Sequence, residues 1–96
     1  MMLINETLSA TGSTGIATAD YSSQDGSYSV AGTFVATIDL ERSLDNGVTW
    51  EVIASHTAVT DPTVDNTNIA APAAGTQFRL TCSAYTSGSA VCKLRV

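Results

Sequence analysis

The feature that most constrains the fold is the alternation of apolar and polar residues on either side of Asn46-Gly47. Before this pair, in the alternating run of residues 33–42, the apolar residues at every second position are Phe34, Ala36, Ile38 and Leu40. After it, the alternating apolar residues are Val48, Trp50, Val52 and Ala54. A period of two is typical of a half-buried β-strand, and glycine readily adopts the positive φ that hairpin turns need. The sequence therefore predicts a β-hairpin with both apolar sets on its buried face.

The loop of this hairpin contains side chains that can bind its own backbone. Its sequence is Ser43-Leu44-Asp45-Asn46-Gly47-Val48-Thr49-Trp50. The side-chain oxygens of Ser43 and Asp45 can accept hydrogen bonds from backbone N–H groups across the loop, and Thr49 can close the network from the far side. We expect Trp50 to pack under the loop as part of the core.

This octet resembles the Asp-box, Ser-x-Asp-x-Gly-x-Thr-Trp, and matches it at every specified position. The resemblance covers eight of the 96 residues. In sialidases and other β-propellers such boxes are structural hairpins, one per blade and remote from the catalytic centre. The resemblance therefore implies a structural role for Ser43, Asp45, Gly47, Thr49 and Trp50, with direct binding by the octet as the alternative. It does not imply a sialidase, because a propeller repeats the box and this chain has one copy.

Composition narrows the fold class. Hydrophobic residues make up 44% of the chain and charged residues 14%, which is too apolar for disorder and too poor in charge for a helical bundle. No window repeats apolar residues with a helical period. We predict a compact antiparallel β-sandwich of about seven or eight strands. Residues 19–96 form this single domain, and residues 1–18 form a flexible N-terminal arm or an edge strand.

The last segment predicts a second hairpin. Residues 77–84 and 90–96 alternate, and Thr86-Ser87-Gly88 between them resembles a three-residue hairpin loop. That register places Cys82 opposite Cys92, within reach of a disulfide. A buried thiol pair is favoured over a disulfide, because a protein made in the cytosol is normally reduced.

The charge distribution predicts an interface. The net charge of −5 argues against nucleic acid as a partner, yet residues 76–96 contain three basic residues and no acid, namely Arg79, Lys93 and Arg95. On the predicted hairpin these share the outward face, with Arg79 opposite Arg95, so an acidic partner surface is expected. Apolar residues of the N-terminal arm are further interface candidates, namely Leu3, Ile4 and Leu8.

Catalytic and metal chemistry are not indicated. The single histidine, His56, has no Ser or Cys motif beside it, and we interpret it as a surface or loop residue. Two cysteines and one distant histidine fall short of a zinc site. We therefore expect no cofactor and no enzyme activity. The first residues lack the basic and apolar regions of a signal peptide, and no apolar run is long enough to span a membrane.

Residues 27–96 show a wider resemblance. The segments are Ser27 to Thr37, Leu40 to Ser43 leading into the octet, Pro72 to Gly75 before Phe78-Arg79-Leu80, and Tyr85 to Gly88 before the final strand. This arrangement looks like small β-sandwich structural proteins of tailed bacteriophages. The first 26 residues carry no part of the resemblance. It implies a virion component, either a capsid decoration (cement) protein or a subunit of the tail or connector.

We expect a decoration protein that binds and stabilises the capsid shell. The resemblance implies the major capsid protein or another virion protein as partner, a homo-oligomer with a trimer favoured, and location in the virion after synthesis in the host cytoplasm. The alternative is a carbohydrate-binding module, for which exposed aromatic side chains would be needed. The candidates are Tyr21, Tyr28 and Tyr85.

Overall fold

The computed structural model describes residues 3–20, 25–58, 63–69 and 72–96. Within these residues the chain forms strands and no helix. The strands are β1 (Leu3–Leu8), β2 (Gly12–Ser13), β3 (Ala17–Thr18), β4 (Gly26–Gly32), β5 (Phe34–Ser43), β6 (Glu51–Ala58), β7 (Thr63–Ile69), β8 (Gln77–Gly88) and β9 (Ala90–Arg95).

The strands form two antiparallel sheets. Sheet A has the order β1-β9-β4-β7, and sheet B has the order β2-β8-β5-β6 with β3 also paired to β8. Each sheet places apolar side chains towards the other, as the period of two requires. The fold class predicted from the sequence, an antiparallel β-sandwich, is confirmed.

The core lies between the two sheets. Fully buried side chains come from both of them, including Val30 and Leu94 in sheet A and Ile38 and Leu80 in sheet B. The alternation in β5 is preserved, since its apolar residues point inward. Burial of these side chains supplies the main driving force for folding.

The predicted second hairpin is wrong. β8 pairs with β5 in sheet B, whereas β9 pairs with β1 and β4 in sheet A. The chain passes from one sheet to the other at Gly88, whose φ is 85°, and Ser89 N donates to Thr33 O at 3.1 Å. A short loop containing glycine serves either a hairpin or a crossing between sheets, and both bury the same apolar faces. Cys82 therefore does not lie opposite Cys92 in a strand pair.

The return strand of the first hairpin also departs from the prediction. Leu40 pairs with Ala54, but the next residue, Glu41, pairs with Val52, so Ile53 is an extra residue in a β-bulge. The extra residue reverses the alternation, so the residues that precede the bulge on β6 lie on the face opposite to the one predicted. Val52 is accordingly 53% exposed, and Val48, which lies in the loop before β6, is 79% exposed. The prediction that Val48, Trp50 and Val52 face the core is wrong, whereas Ala54 packs against it.

The N-terminal segment is part of the sandwich in the structure. β1 is an edge strand of sheet A, paired with β9, and Ile4 and Leu8 pack against the core while Leu3 is exposed. Thr14 N donates to Leu80 O at 2.8 Å, and Leu80 N donates to Thr14 Oγ1 at 3.1 Å. Of the two alternatives for residues 3–8, the structure has the edge strand.

Candidate functional site

The loop at residues 43–50 is held by its own side chains. Ser43 is fully buried, and its Oγ donates to Asp45 Oδ1 and accepts from Gly47 N, both at 2.8 Å. Asp45 accepts from Thr49 N at 2.8 Å and from the Thr49 hydroxyl at 2.5 Å. Asn46 and Gly47 have φ values of 64° and 88°, which reverse the chain direction. Four hydrogen bonds within eight residues make this a rigid loop.

These hydrogen bonds fix the charge state of the loop. The Thr49 hydroxyl, then the Thr49 backbone N–H and the Ser43 hydroxyl, lower the pKa of Asp45 from 3.8 to about 2. The carboxylate is therefore anionic at neutral pH, and its oxygens are occupied by the loop. This arrangement suits a structural role and does not supply a general acid or base.

Trp50 lies on the outer face of sheet B and is half-buried. The guanidinium carbon of Arg79 is 4.1 Å from the centroid of the Trp50 ring. Arg79 Nε donates to Glu41 Oε1 at 2.7 Å, and the Thr81 hydroxyl donates to the same oxygen at 2.6 Å. The prediction that Trp50 belongs to the core is therefore wrong, because the bulge at Ile53 places it on the opposite face.

The basic residues near the C-terminus do not form one surface. Arg79 lies in β8 of sheet B, whereas Lys93 and Arg95 are exposed on β9 of sheet A. The predicted opposition of Arg79 and Arg95 is wrong, and the acid beside Arg79 is Glu41 of the same chain. The argument for an acidic partner surface at this place therefore no longer holds. Roles of Arg79, Lys93, Arg95, Leu3, Ile4 and Leu8 at an interface stay predictions.

Cys82 and Cys92 are free thiols buried in opposite sheets. Burial raises the pKa of Cys92 to about 11, with smaller contributions from Cys82 and Glu6, and burial also raises the pKa of Cys82. Both groups are therefore protonated at neutral pH. Since the thiolate is the reactive form, they are unsuited to nucleophilic chemistry.

His56 has a role that sequence reasoning missed. It lies within β6, opposite Ile38 and on the inner face, and the prediction of a surface or loop residue is wrong. Its Nε2 is 2.6 Å from the hydroxyl of Tyr28 in β4, so the pair joins the two sheets. The sequence did carry a signal for it, because His56 has the same parity as Ala54, which was expected to face the core, and β6 continues past it to Ala58.

Exposed apolar side chains concentrate around the rigid loop. Among the residues that the structure describes, seven large apolar side chains are exposed, and four of them lie between positions 44 and 53. We call Leu44, Val48, Val52 and Ile53, together with the half-buried Trp50, the loop surface. All five lie within residues 44–53, and an exposed apolar patch is typical of an interaction site. The loop surface is the candidate functional site of this chain.

The described residues give no support to a metal site or to a membrane-spanning helix. They contain no group of three or more His, Cys, Asp or Glu side chains placed to hold a metal ion. No helix among them is long and apolar enough to cross a membrane.

Comparison with protein-family models and with curated proteins finds no match to the chain.

Proposed function

We propose that this protein is a non-enzymatic structural component of a tailed-phage virion that decorates the capsid by docking the loop surface onto the shell. The observation that carries the proposal is the concentration of exposed apolar side chains around a hydrogen-bonded loop. Val48 is 79% exposed and Leu44 is 66% exposed, although both flank the rigid turn at Asn46-Gly47.

Rigidity of the loop favours binding. Association requires surface segments to lose conformational freedom, and a loop that is already ordered loses less. The hydrogen bonds from Ser43 and Thr49 to Asp45 hold the backbone between the exposed residues. Apolar contacts then contribute in proportion to the area removed from water.

The sequence resemblance of residues 27–96 to phage β-sandwich structural proteins supplies the biological setting. The partner is the major capsid protein or another virion protein, and the protein acts as a homo-oligomer. Its place is the virion, after synthesis in the host cytoplasm. A position in the tail or connector is the alternative within the same class.

Carbohydrate binding is less well supported. Tyr28 is only 3% exposed, so its ring cannot stack on a sugar. Tyr85 is 37% exposed, and its hydroxyl donates to Gly88 O at 2.9 Å. One face of Trp50 is occupied by Arg79. Tyr21 lies outside the described residues.

Binding of purified protein to virions that lack it tests the proposal. Val48→Asp places a charge in the loop surface, and we expect it to weaken binding at least about tenfold, equivalent to about 1.4 kcal/mol. Ile16→Asp, at an exposed apolar position outside the loop surface, is the matched control and should bind normally. Equal binding by the Val48→Asp variant and the wild-type protein would overturn the role of the loop surface. Binding of wild-type protein to a glycan array and not to virions would favour the carbohydrate alternative.

A further inference from the structure

The turn of the rigid loop contains an asparagine that is followed by glycine. The asparagines of the sequence are Asn5, Asn46, Asn66 and Asn68, and only Asn46 precedes a glycine. In such a pair the backbone nitrogen of the glycine can attack the side-chain carbonyl carbon of the asparagine, because glycine has no Cβ to hinder the approach. Asn46 is exposed, so water can reach its carboxamide. The pair is therefore a candidate for deamidation.

Deamidation needs water as its co-reactant and involves no oxidation or reduction. Gly47 N loses its proton and forms a bond to Asn46 Cγ. The bond from Cγ to Nδ2 breaks, ammonia leaves with that proton, and a cyclic succinimide remains. Water then adds to either carbonyl carbon of the ring, and the bond from that carbon to the ring nitrogen breaks. The product is aspartate or isoaspartate at position 46.

The folded loop holds the attacking nitrogen. Gly47 N donates its proton to Ser43 Oγ at 2.8 Å. Ser43 is fully buried, and its Oγ in turn donates to Asp45 Oδ1 at 2.8 Å, so this acceptor has a fixed position. A nitrogen whose proton is hydrogen-bonded in this way is harder to deprotonate. Turning the nitrogen towards the Asn46 side chain also breaks the hydrogen bond, which leaves the buried Ser43 hydroxyl with one bond fewer.

We propose that Asn46 is a deamidation site and that the hydrogen bond from Gly47 N to Ser43 Oγ suppresses the reaction in the folded protein. The reaction then takes place when the loop opens locally. Its product carries a new carboxylate beside Asp45, and isoaspartate adds a methylene group to the backbone of the turn. The modified loop cannot re-form all of its hydrogen bonds. This inference concerns the chemistry of the loop and does not depend on the virion role.

Mass spectrometry of protein incubated at mildly alkaline pH tests the proposal, with fragment ions assigning each modified asparagine. In wild-type protein unfolded by guanidinium chloride, Asn46 should deamidate faster than Asn66 and Asn68, since neither of those precedes a glycine. In the folded wild-type protein, Asn46 should react at least about tenfold more slowly than in the unfolded chain.

Two variants locate the suppression. Ser43→Ala removes the acceptor of the Gly47 amide, and Asn46 of this folded variant should react at least about fivefold faster than in the folded wild-type protein. Thr49→Val is the matched control within the same loop. It removes the hydroxyl that donates to Asp45 but leaves the bond between Gly47 and Ser43 in place. Asn46 of the control should react at about the wild-type rate.

Four results would overturn the proposal: unfolded protein in which Asn46 reacts no faster than the other asparagines, folded protein that reacts as fast as unfolded protein, a Ser43→Ala variant that reacts at the wild-type rate, or equal acceleration in Thr49→Val. Should Ser43→Ala not fold, hydrogen exchange of the wild-type protein decides the question. The Gly47 amide should be protected, and its exchange and the deamidation of Asn46 should accelerate together as denaturant is added. An unprotected Gly47 amide, or deamidation that does not follow its exchange, would also overturn the proposal.

Discussion

The guanidinium of Arg79 lies over the ring of Trp50, with 4.1 Å between the guanidinium carbon and the ring centroid. The same guanidinium donates to Glu41, so a cation, an aromatic ring and a carboxylate are linked on the outer face of sheet B. This contact joins the rigid loop to β8 and β5 without using the core. The free energy that Trp50 contributes should therefore be modest.

Trp50→Ala should lower the free energy of unfolding by about 1–2 kcal/mol, since it removes a cation–π contact and a half-buried ring. A fully buried tryptophan would cost about 3–5 kcal/mol. Urea denaturation of the two proteins measures the difference. A loss in the higher range would mean that the ring is part of the core.

Asp45 should make the stability depend on pH in the acid range. Its pKa is lowered in the folded state to about 2 from 3.8, so its contribution is fully present above about pH 4 and is lost as the pH falls through about 2. Asp45→Asn should be less stable than the wild-type protein at neutral pH, and this deficit should shrink on acidification. Thermal melts between pH 2 and pH 6 measure it. A deficit that stays constant over this range would show that the carboxylate charge has no part in holding the loop.

Cys92 should make the stability depend on pH in the alkaline range. Its folded-state pKa of about 11 lies above the value of 9.0 for an exposed thiol, so the contribution is fully present below about pH 9 and is lost as the pH rises through about 11. Thermal melts between pH 8 and pH 11 should show a decline in melting temperature that is smaller in Cys92→Ala.

The same burial predicts that a thiol reagent labels Cys82 and Cys92 at neutral pH only after denaturation. Fast labelling of the native protein would contradict the buried positions.

Gly88 should be essential at the crossing between the two sheets. Its φ is 85°, and a Cβ at this position would clash with the carbonyl oxygen of Thr33. Gly75 is a matched control, because its φ is 90° but a Cβ there would meet no atom of the described residues within 4 Å. Gly75→Ala should cost about 1–2 kcal/mol from backbone strain alone, whereas Gly88→Ala should cost clearly more or prevent folding. Equal losses in urea denaturation would show that the crossing tolerates a side chain.

In this protein the sequence predicts local structure better than it predicts which strands pair with each other. The alternation in β5 places Phe34, Ala36 and Ile38 in the core, because a period of two is a local property. The hydrogen bonds of the 43–50 loop follow from Ser, Asp and Thr at their spacing, since those partners lie a few residues apart.

Features that depend on distant contacts were missed. No residue near Ile53 marks the bulge, so the exposed position of Val52 could not be read from the sequence. The alternation in β8 and β9 is also the same whether they pair with each other or lie in facing sheets. Which arrangement forms depends on β1, β4 and β5. These strands pair with β8 or β9 but are distant from them in the sequence.

The most direct test of the proposed virion role is the copy number of this protein in purified particles of a tailed phage whose genome carries its gene, measured by quantitative mass spectrometry against the major capsid protein. A decoration protein should be present at a number comparable with that of the major capsid protein and should sediment with the heads after tails are removed. Complete absence from purified particles would contradict a virion role, and a low copy number that sediments with tails would contradict capsid decoration.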